Sequence, residues 1–230
     1  MLNEKEIGIF ENLIGYSFKD KELLIQAFTH SSYVNEHKIN KKQDYERLEF
    51  LGDAVLEMIS SEHLFKTYPE KKEGEMSKIR ASLVCEPALS FDAEKLDIKR
   101  YIQLGKGEEH TGGRNKESII ADVMEAVIGA LFLDGGIEVA KHFIDEYILT
   151  NKESVERFMD SKSTLQEIVQ SHKMGEVRYE ICGEDGPEHD KIFKVRVFVA
   201  DKNMGEGTGK TKKAAEQKAA YQAILVLRDK

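Results

Sequence analysis

The stretch "YERLEFLGDAVLEM", residues 45–58, decides how the first two thirds of the chain is read. Leu48, Phe50, Leu51, Val55 and Leu56 supply apolar residues at helical spacing. Glu46, Glu49 and Asp53 stand at i, i+3 and i+7, and at about 100° per residue they fall within roughly 60° of each other on one face. Acidic residues so placed usually mark the solvent side of a helix. A second stretch, "ADVMEAVIGALF" (121–132), strains that reading. Asp122 and Glu125 stand among Ile119, Ile120, Ala121, Val123, Met124, Ala126, Val127 and Ile128, where little width remains for a solvated stripe. If the two acidic faces pack together, four carboxylates converge. Unpaired, they repel and raise one another's pKa values. A hard divalent cation with oxygen ligands, Mg²⁺ or Mn²⁺, relieves that cost. Such an ion activates water and stabilises charge on a phosphoryl oxygen during in-line displacement.

Around these two stretches residues 1–150 read as helical throughout, with Gly135-Gly136 ending one helix before "IEVAKHFIDEYILT" begins another. "LGKGEEHTGGRNKES" (104–118) reads as a polar, Gly-rich loop. Past about residue 155 the period changes. "SKSTLQEIVQSHK" reads as a short helix, with Ser163 and Gln166 spaced as a capping box. "VRYEIC" alternates, and in "IFKVRVFVAD" Phe193, Val195, Val197 and Val199 share one face of a strand. A Gly-rich stretch and an Ala-rich helix follow. The order α-β-β-(β)-α makes a small α+β domain, joined to the helical one near residues 152–160.

Composition fits two ordinary folded domains: 230 residues, 40% hydrophobic, 33% charged and only 3 Pro. No apolar run approaches a membrane span, and "MLNEKEIGIF" lacks a signal-peptide profile, so no membrane role is expected. Cys85 and Cys182 form no CxxC pattern, which suits a reducing cytoplasm, and the seven histidines make no ligand cluster. The net charge of −8 alone argues against a polyanionic partner. It is unevenly spread: residues 160–230 hold 13 Lys+Arg against 12 Asp+Glu, and the remainder 21 against 30. Local patches matter more than totals.

One such patch lies in "GEGTGKTKKAAEQKAA", residues 205–220. GTGKT looks like a nucleotide-binding P-loop, but the first Gly of that motif would fall on Met204. The dinucleotide pattern fails likewise, at Lys210. What remains is a Gly-rich turn, Thr211 as a candidate N-cap, and Lys210, Lys212 and Lys213 opening a helix. That is a site for some anion.

"ERLEFLGDAVL" (46–56) closely resembles the signature of bacterial ribonuclease III, and "GGRNKESIIADVMEAVIGALFLDGG" (112–136) resembles its second catalytic segment. "EGEMSKIRASLV" (73–84) fits the same family, while "STLQE", "GPEHDKIF" and "GTGKTKKAAEQKAA" look like its double-stranded-RNA-binding domain. The resemblance covers nearly the whole chain, in order. It implies an all-α endonuclease domain (1–153) that forms a homodimer, then an α-β-β-β-α RNA-binding domain (160–230). It implies Mg²⁺-dependent hydrolysis of both strands of double-stranded RNA to 5′-phosphate and 3′-hydroxyl ends with short 3′ overhangs, in the processing of rRNA precursors and structured transcripts, with no nucleotide cofactor. By position Asp53 and Glu125 would be catalytic, Glu49, Asp122 and Glu125 metal-binding, and Glu46 and Glu73 accessory acidic residues. The residue before Glu46, often Asn in the family, is Tyr45 here.

A-form RNA displays 2′-hydroxyls in a shallow minor groove and hides base edges in a deep major groove, so a reader of shape needs minor-groove probes and a phosphate clamp. By resemblance Gln166 and Glu167 supply one probe, Pro187 and His189 the other, and Lys210, Lys212 and Lys213 the clamp. Two competing functions are a catalytically dead RNA-binding scaffold, against which the intact acidic set argues, and a P-loop NTPase, against which Met204 argues.

Overall fold

The computed structural model describes residues 2–38, 43–150, 161–186, 191–209 and 211–228. The chain divides into two compact units, Met1–Ser154 and Val155–Lys230. Among the described residues no helix is long and apolar enough to cross a membrane.

The first unit is helical: α1 (Glu4–Ile14), α2 (Lys21–Ala27), α3 (Ser31–His37), α4 (Glu46–Thr67), α5 (Glu73–Leu83), α6 (Glu86–Ala93), α7 (Lys106–His110), α8 (Glu117–Gly135) and α9 (Ile137–Ile144). Its axis is α8, where eleven of 19 residues are buried, with α2, α4, α6 and α9 packed around it. An apolar helix enclosed on several sides leaves no solvated stripe, so Asp122 and Glu125 can point only into a seam between helices. Gly135-Gly136 ends α8 as the sequence implies, Gly136 taking φ 81°. Asp134, just before it, accepts from Tyr16 Oη at 2.7 Å and from the backbone N–H groups of Lys19 and Asp20 at 2.9 and 2.8 Å.

The seam between α4 and α8 is unusually close. A Cβ placed on Gly52 would sit 1.8 Å from the carbonyl oxygen of Glu125, and one on Gly129 would sit 2.2 Å from that of Leu48. The two helices therefore touch backbone to backbone where each has a glycine, and a side chain at either point would force them apart.

Two readings of this unit change. Residues 75–96, whose apolar residues also stand at helical spacing in the sequence, divide into α5 and α6, because Pro87 lacks an N–H and is tolerated only in a first turn. The expected loop 104–118 contains α7 and a 3-10 turn, Gly113–Asn115. Arg114 organises it, donating to the carbonyls of Lys99 and Ile102 and pairing with Glu109.

The second unit runs α10 (Ser161–Ser171), β1 (Val177–Asp185), β2 (Ile192–Val199), β3 (Lys202–Gly209) and α11 (Lys212–Arg228), with an antiparallel sheet in the order β1-β2-β3. Val195, Val197 and Val199 face the core, with Phe193 packed against it, as the alternation predicts. Leu165 and Val169 of α10 and Ala215, Ala219, Ala220 and Ala223 of α11 close over them. Gly205, Gly207 and Gly209 lie along the same face of β3. A Cβ there would meet Ala219 O at 2.5 Å, Ala215 O at 2.3 Å and Ala215 N at 2.7 Å. The glycines are thus explained by a strand pressed onto an alanine-lined helix. Ser163 lies inside α10, which already includes Ser161, so it is not the residue that opens the helix.

Candidate active site

Four carboxylates line the α4–α8 seam. Glu49 and Asp53 come from α4, one turn apart, and Asp122 and Glu125 from α8. Because Gly52 meets Glu125 O and Gly129 meets Leu48 O, the acidic faces are held at the closest approach of the two helices. Asp53 is exposed, while Glu49, Asp122 and Glu125 are half-buried.

Their electrostatics show how they sense one another. Burial, then the charges of Asp53, Glu49 and Asp122, pushes Glu125 up to about 8. Burial, then Asp122, Glu46 and Asp53, pushes Glu49 up to about 7. Asp53 is raised by burial and by Glu57, and partly offset by Arg80 of α5. Asp122 is raised by burial, against the opposing hydrogen bond from Tyr45 and the field of His30. Burial thus disfavours the charge of every member, and in Glu49 and Glu125 the other carboxylates of the group add to it, which is the arrangement a cation would relieve.

Among the described residues no group of three or more His, Cys, Asp or Glu side chains is placed to hold a metal ion. The donor set is nonetheless all carboxylate oxygen, which suits a hard cation such as Mg²⁺ or Mn²⁺ and not a thiophilic one. Glu46 belongs to the periphery of the group, since its charge acts on both Glu49 and Asp122. Glu73 stands apart. Its Oε1 accepts from Ser77 Oγ at 2.8 Å one turn along α5, and its charge is not among those that shift the four carboxylates.

Several neighbours were not singled out by the sequence pattern. Tyr45 is buried, and its hydroxyl donates to Asp122 Oδ2 at 3.1 Å. His30, before α3, packs its ring against that of Tyr45 with centroids 5.6 Å apart. Its Nδ1 accepts from the Ser32 backbone at 3.1 Å. Residues 28–30 reach this position through a short parallel pairing: Gln103 N donates to Phe28 O at 2.7 Å and His30 N to Gln103 O at 3.0 Å. Arg80 lies at the Asp53 edge and donates to Ser61 Oγ at 2.8 Å. The only sequence signals for these were a His before a helix, a Tyr abutting the first Glu, and an Arg two turns past an acidic helix start.

In the second unit Gln166 and Glu167 are exposed on α10. Thr211 caps α11, its Oγ1 accepting from Ala214 N at 3.1 Å. Lys212 and Lys213 are the first two residues of that helix, both exposed, with the Lys212 ammonium 5.6 Å from the Phe193 ring centre. On and beside the sheet Lys194 pairs with Asp185, Arg196 with Glu206 and Lys191 with Glu184. Lys212 and Lys213 make no ion pair among the described residues. Pro187, His189 and Lys210 lie outside the described residues.

Residues 20–152 match the family model described as ribonuclease-III-like, and residues 161–227 match that of the double-stranded RNA binding motif. A protein named ribonuclease 3 from Bacillus cereus (strain G9842) is 49% identical over 223 residues, 96% of this chain and 91% of that protein. One of the same name from Shouchella clausii is 50% identical over 234 residues, covering 100% of this chain and 90% of its own. The solved nuclease domain of ribonuclease III from Campylobacter jejuni aligns at a TM-score of 0.59 and 41% identity, covering 64% of this chain and 99% of that one.

Proposed function

Since this chain belongs to the ribonuclease III family and is an endoribonuclease acting on double-stranded RNA, we propose that the α4–α8 carboxylates are its cleavage site and that Mg²⁺ is its working cation. Mn²⁺ is a substitute of the same hard, oxygen-seeking class. The carrying observation is the glycine-to-backbone seam that forces four carboxylates into one another's fields. Glu49, Asp122 and Glu125 would hold the ion, with Asp53 and Glu125 as the catalytic pair and Glu46 and Glu73 as accessory acids along the RNA path. A bound divalent cation supplies charge at the phosphoryl oxygen and a water of lowered pKa.

The protein groups then have definable tasks. Asp53, the exposed member, faces solvent where a phosphodiester and a water can reach, and its carboxylate can accept the proton of the attacking water. Glu125, at the floor of the seam, orients the group from below. Water oxygen bonds to phosphorus as the bond to the 3′ oxygen breaks, and a proton returns to that oxygen. The products are a 5′-phosphate and a 3′-hydroxyl. Gln166 and Glu167 would probe one minor groove, Pro187 and His189 the next, and Lys210, Lys212 and Lys213 would grip the phosphates between them. No nucleotide cofactor enters this scheme. Its substrates would be rRNA precursors and structured transcripts of the cytoplasm.

A homodimer fits the same reading. Phe50 is 80% exposed, and Ala54, Met58 and Phe65 continue the same exposed stripe of α4. Such a stripe suits an isologous contact that would set one site against each strand. Cleavage of a long RNA duplex with and without Mg²⁺, for wild type and Glu125→Gln, tests the central claim. The variant is expected to bind duplex normally and lose activity by several orders of magnitude. Retention of activity within about tenfold, roughly 1.4 kcal/mol of barrier, would remove Glu125 from the site. Sedimentation of Phe50→Glu, expected as a monomer, tests the dimer.

A further inference from the structure

Tyr45 is an aromatic residue with only 3% of its surface exposed, and its hydroxyl ends on a carboxylate from a helix 77 positions away in sequence. Both ends of this link are fixed. On one side Tyr45 N donates to Thr29 O at 2.9 Å, and Tyr45 O accepts from Leu48 N and Glu49 N at 2.8 and 2.9 Å. The residue is thus built into the start of α4, the helix that carries Glu49 and Asp53. Its ring is backed by His30, which is itself fixed as the N-cap of α3 through Ser32. On the other side Asp122 projects from the second turn of α8. A buried phenol hydroxyl needs an acceptor, but a backbone carbonyl would have served. Here it takes Oδ2 of Asp122, and among the described residues no donor reaches Oδ1.

We propose that Tyr45 is a positioning residue of the cleavage site: its hydroxyl fixes the rotation of the Asp122 carboxylate and reserves the other oxygen for the cation. This rests on the reading of Asp122 as a metal ligand. Outer hydrogen bonds of this kind set ligand orientation, and their loss typically costs about 10- to 100-fold in metal affinity. The link also couples the two helices through a polar contact, so that the ligands on α4 and on α8 keep one register.

The test uses the full chain as wild type, Tyr45→Phe, Asp122→Asn and the double variant. Free Mn²⁺ is counted by electron paramagnetic resonance during titration, and duplex cleavage is followed against Mn²⁺ concentration. Tyr45→Phe is expected to weaken Mn²⁺ binding about tenfold or more and to raise the Mn²⁺ needed for half-maximal cleavage by the same factor. At saturating Mn²⁺ its rate should return to within about twofold of wild type, and in the Asp122→Asn background it should cost nothing further. Unchanged Mn²⁺ affinity, or a lower rate at every Mn²⁺ concentration with no shift in requirement, would overturn the inference. Asp122→Asn that binds Mn²⁺ as tightly as wild type would instead overturn the reading of Asp122 as a ligand. Asp122→Glu leaves Tyr45 and the charge intact but moves the carboxylate out of register with the hydroxyl. It too should bind Mn²⁺ more weakly, and wild-type affinity there would overturn the inference even if Tyr45→Phe did not fold.

Discussion

Replacing Gly52 by Ala sets two known effects against each other, and the structure decides between them. Within a helix, Gly→Ala ordinarily stabilises by about 0.8–1.0 kcal/mol. At Gly52 the added methyl would lie 1.8 Å from Glu125 O, against 3.4 Å for an ordinary contact, a shortfall of about 1.6 Å. The obstacle is a backbone carbonyl in the middle of α8, so no rotamer change removes it. Overpacking typically costs about 1–3 kcal/mol where side chains can adjust. Here two helices must separate or bend, so a net loss of about 2–3 kcal/mol or more is expected after the propensity gain. Gly129→Ala, blocked by Leu48 O at 2.2 Å, should behave alike. Gly8 in α1 has no atom within 4 Å of its would-be methyl, and Gly8→Ala should gain up to about 1 kcal/mol. Urea unfolding of the three variants reads these signs directly. Activity supplies a second readout, because a displacement of about 1 Å in a reacting constellation can cost about 100-fold. If Gly52→Ala proved as stable as Gly8→Ala, the close seam would be wrong, and with it the reason the carboxylates converge.

Two further outcomes follow from the charges. Glu49 and Glu125 have folded-state pKa values of about 7 and about 8, above the unfolded carboxyl range, so the native state binds more protons than the unfolded chain between those limits. In chelator the protein should therefore lose stability as pH rises from about 4.5 to 8. Glu125→Gln should flatten that fall by about 1–2 kcal/mol at pH 8, with little change at pH 4, and added Mg²⁺ should reverse the advantage. Thermal unfolding across pH checks this, and a wild type that grows steadily more stable over the same range in chelator would contradict it. In the second unit, Lys212→Ala with Lys213→Ala should weaken binding to all duplex sequences alike. The slope of log K against log salt should become shallower by somewhat under one unit per lysine. An unchanged slope would return both to an ordinary solvated helix start.

How much of this was legible in the sequence depended on whether period or contact carried the information. Asp122 and Glu125 stood out because they interrupt an otherwise apolar helix, and the α4–α8 seam is where the structure places them. Val195, Val197 and Val199 declared a buried strand face by alternation alone. Gly52 and Gly129 gave no such signal, since a small residue inside a helix looks alike whether it faces a void or another backbone. Tyr45 and His30 were hidden for a related reason. Their roles arise from partners 77 residues away for Tyr45 and from the Gln103 pairing for His30, and no local pattern encodes that. The short helix α7 was missed because it buries nothing and so has no apolar period. Ser163 illustrates a boundary error, one serine being mistaken for the cap when α10 already includes Ser161.

The bare face of β3 has a consequence for how the second unit assembles. Glycine in a strand forfeits about 0.5–1 kcal/mol each relative to alanine, and Gly205, Gly207 and Gly209 offer no side chain for β2 to pack against. A β2–β3 hairpin waiting for its helix would therefore be mostly open. The helix that rescues it begins at Lys212, so the connecting segment is short and its closure entropy small. β3 and α11 should then form in one event, with methyl groups of the helix meeting strand backbone as both order. The exposed lysines at the start of α11, proposed above to grip phosphates, would come into place in that same step.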